Sequence, residues 1–257
     1  MKYVTYSVGD RIGFITLNRP DKRNALNHQV IQEMNEAFQK AEEDDHVKVI
    51  VLNANGEVFC AGADLNYLQQ LQNFSYEENL ADSSQLKSLM LKIYTLSKVV
   101  IAQVQGHALA GGCGLVSVCD FILTVPEAKF GYTEVKIGFI PAIVMVFLLR
   151  KIGEAKAKQL LLRGDLISAE EAAAMGLVSE VVAIGDLERK VQELALRLIQ
   201  TNSAEAMKLT KQMIATVPSM PLADSLSFAA RMNAEARATE DCKRGIAAFL
   251  NKENISW

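Results

Sequence analysis

The chain is poor in the residues that build several kinds of protein. Its four cysteines, Cys60, Cys113, Cys119 and Cys242, form no Cys-x-x-Cys pair. That spacing excludes a disulfide-stapled scaffold and offers no zinc-ligand pattern. The thiols read as buried or incidental, which fits a reducing, cytoplasmic compartment. The three histidines, His28, His46 and His107, show no spacing that completes a Ser-His-Asp arrangement. Basic residues are not in excess: 27 lysines and arginines stand against 30 aspartates and glutamates, a net charge of −3. No broad footprint for nucleic acid follows from that balance. No Gly-x-Gly-x-x-Gly follows a strand, so neither NAD nor FAD is suggested. The N-terminus alternates polar and apolar residues and lacks the apolar core of a secretory signal. The longest apolar stretch, Phe139 to Leu149, contains Pro141 and falls short of the roughly 20 residues that span a bilayer. It predicts a buried helix and no membrane partner.

What is present is a large apolar fraction. Of the 257 residues, 50% are hydrophobic and 22% charged, enough to bury a substantial core in one large domain, with or without an appendage. Val4, Tyr6 and Val8 alternate as in a strand, Gly9-Asp10 marks a turn, and Ile12 to Leu17 is a second short run. Together they predict a hairpin. Asn27 is placed to cap a helix whose apolar face is Val30, Met34, Phe38 and Ala41.

Val47 to Leu52, Val99 to Val104 and Phe121 to Val125 read as buried strands. Gly56 to Gly62 reads as a loop, Tyr76 to Leu96 as a long helix, and Gly111-Gly112 as the lead into a short apolar helix. Ser168 with Glu171 has capping-box spacing, and Val178 to Val182 is a last strand. This alternation predicts an α/β fold with crossover connections. Everything after Asp186 reads as helix, with one stripe at Leu187, Val191, Leu194 and Leu198 and another beginning at Leu222, Leu226 and Ala229. The expected organisation is a core over 1–200 and a helical region over 201–257, packed on the core or on a neighbouring subunit.

Two segments carry most of the chemical information: Cys60-Ala61-Gly62-Ala63-Asp64-Leu65, and Gly106 through Gly114. Each follows a predicted strand, and small residues let a backbone approach a ligand closely. A helix starting at such a turn leaves its first N–H groups without an internal partner. Two such groups aimed at one point would form an oxyanion hole. Taken alone, each segment is better explained by tight turns and close packing.

Four motifs occur in order: Asn18 to Asn27, Ala61 to Leu65, Ala110 to Cys113, and Phe130-Gly131-Tyr132-Thr133-Glu134-Val135-Lys136-Ile137-Gly138. Together they resemble the enoyl-CoA hydratase/isomerase family, also called the crotonase superfamily. The likeness runs on through Ser168 to Val182 and Gly245 to Phe249. The resemblance implies a crotonase-like spiral of repeated ββα units with a helical C-terminal region, assembled as a homotrimer or homohexamer. It implies an acyl-CoA substrate, with coenzyme A arriving as part of that substrate and no separate cofactor. It also implies that the N–H groups of Ala63 and Gly111 hold the thioester oxygen while Glu134 exchanges a proton with substrate carbon. Partial burial should raise the pKa of that glutamate.

The sequence departs from the two-glutamate members at one position. Where they carry a glutamate directly after Gly-Gly-Cys, this chain has Gly114. Three readings of the chemistry are open. A hydratase would use Glu134 for most of the proton transfer, on a substrate such as the branched 3-methylglutaconyl-CoA, whose free carboxylate would use the space that Gly114 leaves. An isomerase would move a double bond with Glu134 alone. A decarboxylase or a hydrolase would process a specialised thioester. Outside catalysis stands a scaffold or RNA-binding member, against which the acidic net charge and the retained motifs both count.

By the same resemblance, Lys22 and Arg23 would meet the phosphates of coenzyme A. Ala25, Ala61, Asp64 and Leu65 would line its adenine and pantetheine path, and Phe249 and Lys252 would reach it, often from a neighbouring subunit. Asp64 reads equally well as a helix cap. His107 reads as a hydrogen-bonded structural residue. Met145, Phe147 and Leu148 read as pocket wall or core, and Tyr132 either bonds substrate or packs on the adjacent strand.

Overall fold

The N-terminal runs close the expected hairpin. In the computed structural model, which describes all 257 residues, β1 (Val4–Gly9) pairs antiparallel with β2 (Ile12–Leu17). The turn falls on Asp10 and Arg11, both with positive φ, the backbone that matches the twist of two paired strands. Asn27 caps α1 (His28–Glu43) by accepting the Val30 N–H, and Val30, Met34, Phe38 and Ala41 are all buried. β3 (Val49–Ala54) then pairs parallel with β2.

The chain continues as α2 (Leu65–Leu71), α3 (Tyr76–Thr95), β4 (Val99–Val104), β5 (Ala108–Leu109), α4 (Gly111–Ser117), β6 (Phe121–Thr124) and β7 (Lys129–Gly131). Next come α5 (Ala142–Ile152), α6 (Glu154–Arg163), β8 (Ile167–Ser168), α7 (Ala169–Met175), β9 (Glu180–Val181) and α8 (Leu187–Thr201). One sheet has the order β1-β2-β3-β4-β6-β9, and every pairing beyond the hairpin is parallel. A small second sheet, β5-β7-β8, is extended by single bridges from Leu26 to Ala63 and from Cys60 to Ala108. The chain therefore winds in repeated units, each giving one strand to the large sheet and a short segment to the small one. This is the expected ββα spiral, and the short segments of successive turns lie against one another.

Helices α9 (Ala204–Thr216), α10 (Leu222–Ala238) and α11 (Glu240–Asn251) complete the chain. Buried lysines join core to helices by donating to backbone carbonyls, several of them at helix C-termini, where a cation is favoured. Lys48 Nζ donates to Ile199 O and Asn202 O at the end of α8, both at 2.6 Å. Lys211 Nζ on α9 donates to Lys98 O and Ile93 O and pairs with Asp120 at 2.7 Å. Burial pushes the Lys48 pKa down to about 8, with Arg11 and Arg244 adding repulsion.

Three expectations need correction. Gly111 and Gly112 do not precede α4 but form its first turn, because close packing there leaves no room for side chains and overrides helix propensity. The Phe139–Leu149 stretch is only half buried: α5 starts at Ala142, buries Val144, Phe147 and Leu148, and exposes Met145, Val146 and Leu149. The last strand shortens from Val178–Val182 to β9, the part that pairs with β6. The Leu222–Leu226 stripe, expected to pack on the core or on a neighbouring subunit, is not covered by the core, at 77% and 63% exposed. No helix is long and apolar enough to cross a membrane.

Candidate active site

Three backbone segments meet at the small sheet. The first is the loop from Arg19 to Leu26, where Arg23 and Asn24 both adopt left-handed backbone. Asn24 tolerates that conformation better than most residues. Its buried side chain accepts the Arg19 N–H and donates to Asn55 O and Val58 O. The loop is thereby fixed against the second segment: Ala61 N donates to Arg23 O, Leu26 N to Gly62 O, and Asp64 N to Leu26 O. Lys22 and Arg23 project from it into solvent, and Ala25 is buried beneath them.

The second and third segments are the two small-residue turns. Cys60 N donates to His107 O and Leu109 N to Cys60 O, so the turns run side by side. Gly62 has φ +91°, and a Cβ there would lie 2.9 Å from Ala110 Cβ. Ala110 itself has φ +48° and ψ −122°, a conformation that L-residues rarely adopt. It precedes α4 and aims the helix start. The Ala63 N–H donates to no acceptor in the structure and lies on an exposed residue. Gly111 opens α4, where a helix has no acceptor of its own for the N–H.

Glu134 arrives from the next turn of the spiral. Ala110 N donates to Gly131 O at 2.8 Å, and Glu134 follows three residues later at the start of a short 3-10 turn, Glu134–Ile137. Its Oε2 is enclosed and accepts no hydrogen bond. Burial raises its pKa, and its own backbone N–H pulls the other way. A half-buried carboxylate with a free oxygen and a raised pKa is suited to proton transfer near neutrality.

The remaining candidates divide. Asp64 is spent on structure: Oδ1 caps α2 by accepting Asn66 N and Tyr67 N, and Oδ2 pairs with Arg19 at 2.6 Å. Although burial works to raise its pKa, the Arg19 hydrogen bond and the two N–H donors hold it below the ordinary value. Both oxygens are engaged in bonds that hold the loop and the helix start, so helix capping is a role the structure gives it. Ala61 is half-buried between the two other segments, and Leu65 is exposed on the first turn of α2. Within this chain Phe249 and Lys252 are not brought to this site: α11 packs on α9 and α10, and Phe249 is 82% exposed, on a surface open to a neighbouring subunit. His107 Nδ1 accepts the Lys129 N–H, a structural bond. Tyr132 is fully buried beside Cys113 and Ser117, and its hydroxyl, like Glu134 Oε2, has no hydrogen-bond partner.

Gly114 does not leave the space expected of it. It is buried, and a Cβ built on it would lie 2.2 Å from Val144 Cγ1. Val144 of α5 and Met90 of α3 already occupy that volume. A substrate carboxylate finds no room there and no donor to satisfy it. Sequence reading passed over Met90 and Val144, because only tertiary packing brings them to α4.

Comparison with known proteins gives one consistent result. Residues 8–257 match the profile of the enoyl-CoA hydratase/isomerase family. A Thermus thermophilus protein bearing the provisional name enoyl-CoA hydratase is 40% identical over 241 residues, covering 94% of this chain and 95% of that one. The mitochondrial enoyl-CoA hydratase of Pongo abelii is 34% identical over 247 residues, covering 96% of this chain and 83% of that one. The crystal structure of an enoyl-CoA hydratase from Shewanella pealeana superposes with a TM-score of 0.94 at 28% identity, covering 99% and 96% of the two chains.

Proposed function

Since this chain belongs to the enoyl-CoA hydratase/isomerase family, we propose that it is a lyase that adds water to, or removes it from, an enoyl-CoA, with Glu134 as its only proton carrier. The observation that carries this reading is the enclosed, unpartnered Oε2 of Glu134, three residues beyond the strand bonded to the Gly111 turn. In the dehydration direction the thioester oxygen accepts the N–H groups of Ala63 and Gly111. The Glu134 carboxylate removes the proton from C2, and the electron pair moves onto the thioester oxygen as an enolate. When the enolate collapses, the C2–C3 double bond forms and the C3–O bond breaks. The departing hydroxyl takes the proton back from Glu134 and leaves as water. Hydration is the reverse. One carboxylate serves both steps when the proton and the hydroxyl leave from the same face.

Lys22 and Arg23 stand on the fixed loop beside Ala61, where their charges suit the phosphates of coenzyme A. A branched acyl group such as 3-methylglutaconyl remains within the reading, with its free carboxylate directed away from Gly114. The exposed Leu222, Leu226 and Phe249 support assembly into a trimer through the helical region.

A second reading, migration of a double bond from C3 to C2, is favoured by the burial of Gly114, since no other carboxylate is needed for it. A panel of 2-enoyl- and 3-enoyl-CoA substrates, followed for both products, separates the two. Hydroxyacyl-CoA from 2-enoyl substrates supports the first. Isomer with no hydroxyacyl product supports the second, and no turnover of any substrate would overturn both.

A further inference from the structure

Gly114 lies three residues after Gly111 on α4. Residues three apart share a face of a helix and are about 4.5 Å apart along its axis. Gly114 is therefore the next position on the face that Gly111 opens. On this face the wall comes from other helices. Besides the 2.2 Å approach of Val144 Cγ1, a Cβ at 114 would meet Val144 Cβ at 3.1 Å and Met90 Cε at 3.3 Å. Carbon atoms in packed interiors sit at about 3.5–4.0 Å. Val144 is 4% exposed and Met90 is fully buried.

The two side chains differ in stiffness. Valine in a helix is held to essentially one χ1 rotamer, whereas methionine adapts to its surroundings. Val144, in the first turn of α5, is therefore the rigid part of the wall. It also explains the glycine: any side chain at 114 would have to displace it.

We propose that Val144, backed by the fully buried Met90, is a specificity-determining residue of the Glu134 site, forming an apolar stop over Gly114 against which the acyl group packs at and beyond C3. This role rests on the thioester being held at Gly111 and on Glu134 carrying the proton. The stop keeps charge off the Gly114 side of the substrate and limits how far an acyl chain can extend in that direction. Val144 touches the acyl chain and transfers no proton.

The test uses the full chain and two substrates, crotonyl-CoA and trans-2-octenoyl-CoA. Val144→Ala is expected to raise the ratio of kcat/KM for octenoyl over crotonyl by about 10-fold or more, the discrimination that one or two methyl groups supply. Val144→Ile is expected to lower the same ratio. Gly114→Ala is expected to lose thermal stability, and Val144→Ala in the same chain to restore it. A ratio that moves by less than about twofold in both Val144 variants overturns the proposal. So does Gly114→Ala with wild-type melting temperature. Glu134→Gln measured alongside keeps the two failures apart. An active Glu134→Gln brings down the proton-carrier reading and this proposal with it. An inactive one beside an unmoved ratio brings down the role of Val144 alone.

Discussion

Replacing Glu134 with glutamine is expected to lower kcat by about 10²–10⁴-fold, the usual contribution of one positioned acid–base group. The amide keeps the shape of the side chain and its fit in the half-buried site, so folding and KM should change little. What is lost is the ability to take a proton from C2 and return it to the departing hydroxyl. Because Gly114 brings no second carboxylate and Val144 fills its place, no neighbouring carboxylate on α4 can substitute. A loss smaller than about tenfold would contradict the assignment. The pH profile carries the same signature. In the dehydration direction Glu134 must begin ionised, so kcat/KM should fall as the pH drops through its pKa. That pKa is raised by burial, so the fall begins above the ordinary glutamate value of about 4.3. In Glu134→Gln this limb should vanish from whatever activity remains.

The second large effect is expected at Gly62, a residue that supplies no functional group. Its φ of +91° is strained for any residue with a Cβ, and that Cβ would lie 2.9 Å from Ala110 Cβ and 3.1 Å from Leu109 O. Gly62→Ala should therefore separate the two turns and move the Ala63 N–H relative to Gly111. A misdirected donor at a developing oxyanion costs about 10²–10³ in kcat. Steady-state kinetics on a protein shown to be folded by circular dichroism checks this. A folded Gly62→Ala enzyme with wild-type kcat would show that the two turns need not stay in contact for catalysis.

Much of this architecture was legible because it is local. The hairpin, the Asn27 cap and the Ser168–Glu171 capping box each depend on residues a few positions apart, and all are present. The large parallel sheet followed from buried runs such as Val47 to Leu52. The small sheet did not, because two- and three-residue strands such as β5 and β7 leave no period to read. Gly114 shows the same limit at the site. Its sequence position announces a missing carboxylate, but whether the space is open or filled depends on Val144, thirty residues further along another helix. Likewise Asp64 looks like a ligand contact until Arg19 and the α2 N–H groups are seen to use both of its oxygens.

The most direct test of a single-carboxylate mechanism follows the proton itself. A 3-hydroxyacyl-CoA that turns over is incubated with the enzyme in D2O, and deuterium at C2 is read by mass spectrometry before equilibrium. Wild type is predicted to wash deuterium into C2, and Glu134→Gln to leave it unlabelled over the same period. Exchange at the wild-type rate in Glu134→Gln would show that another group moves this proton, and would contradict the account.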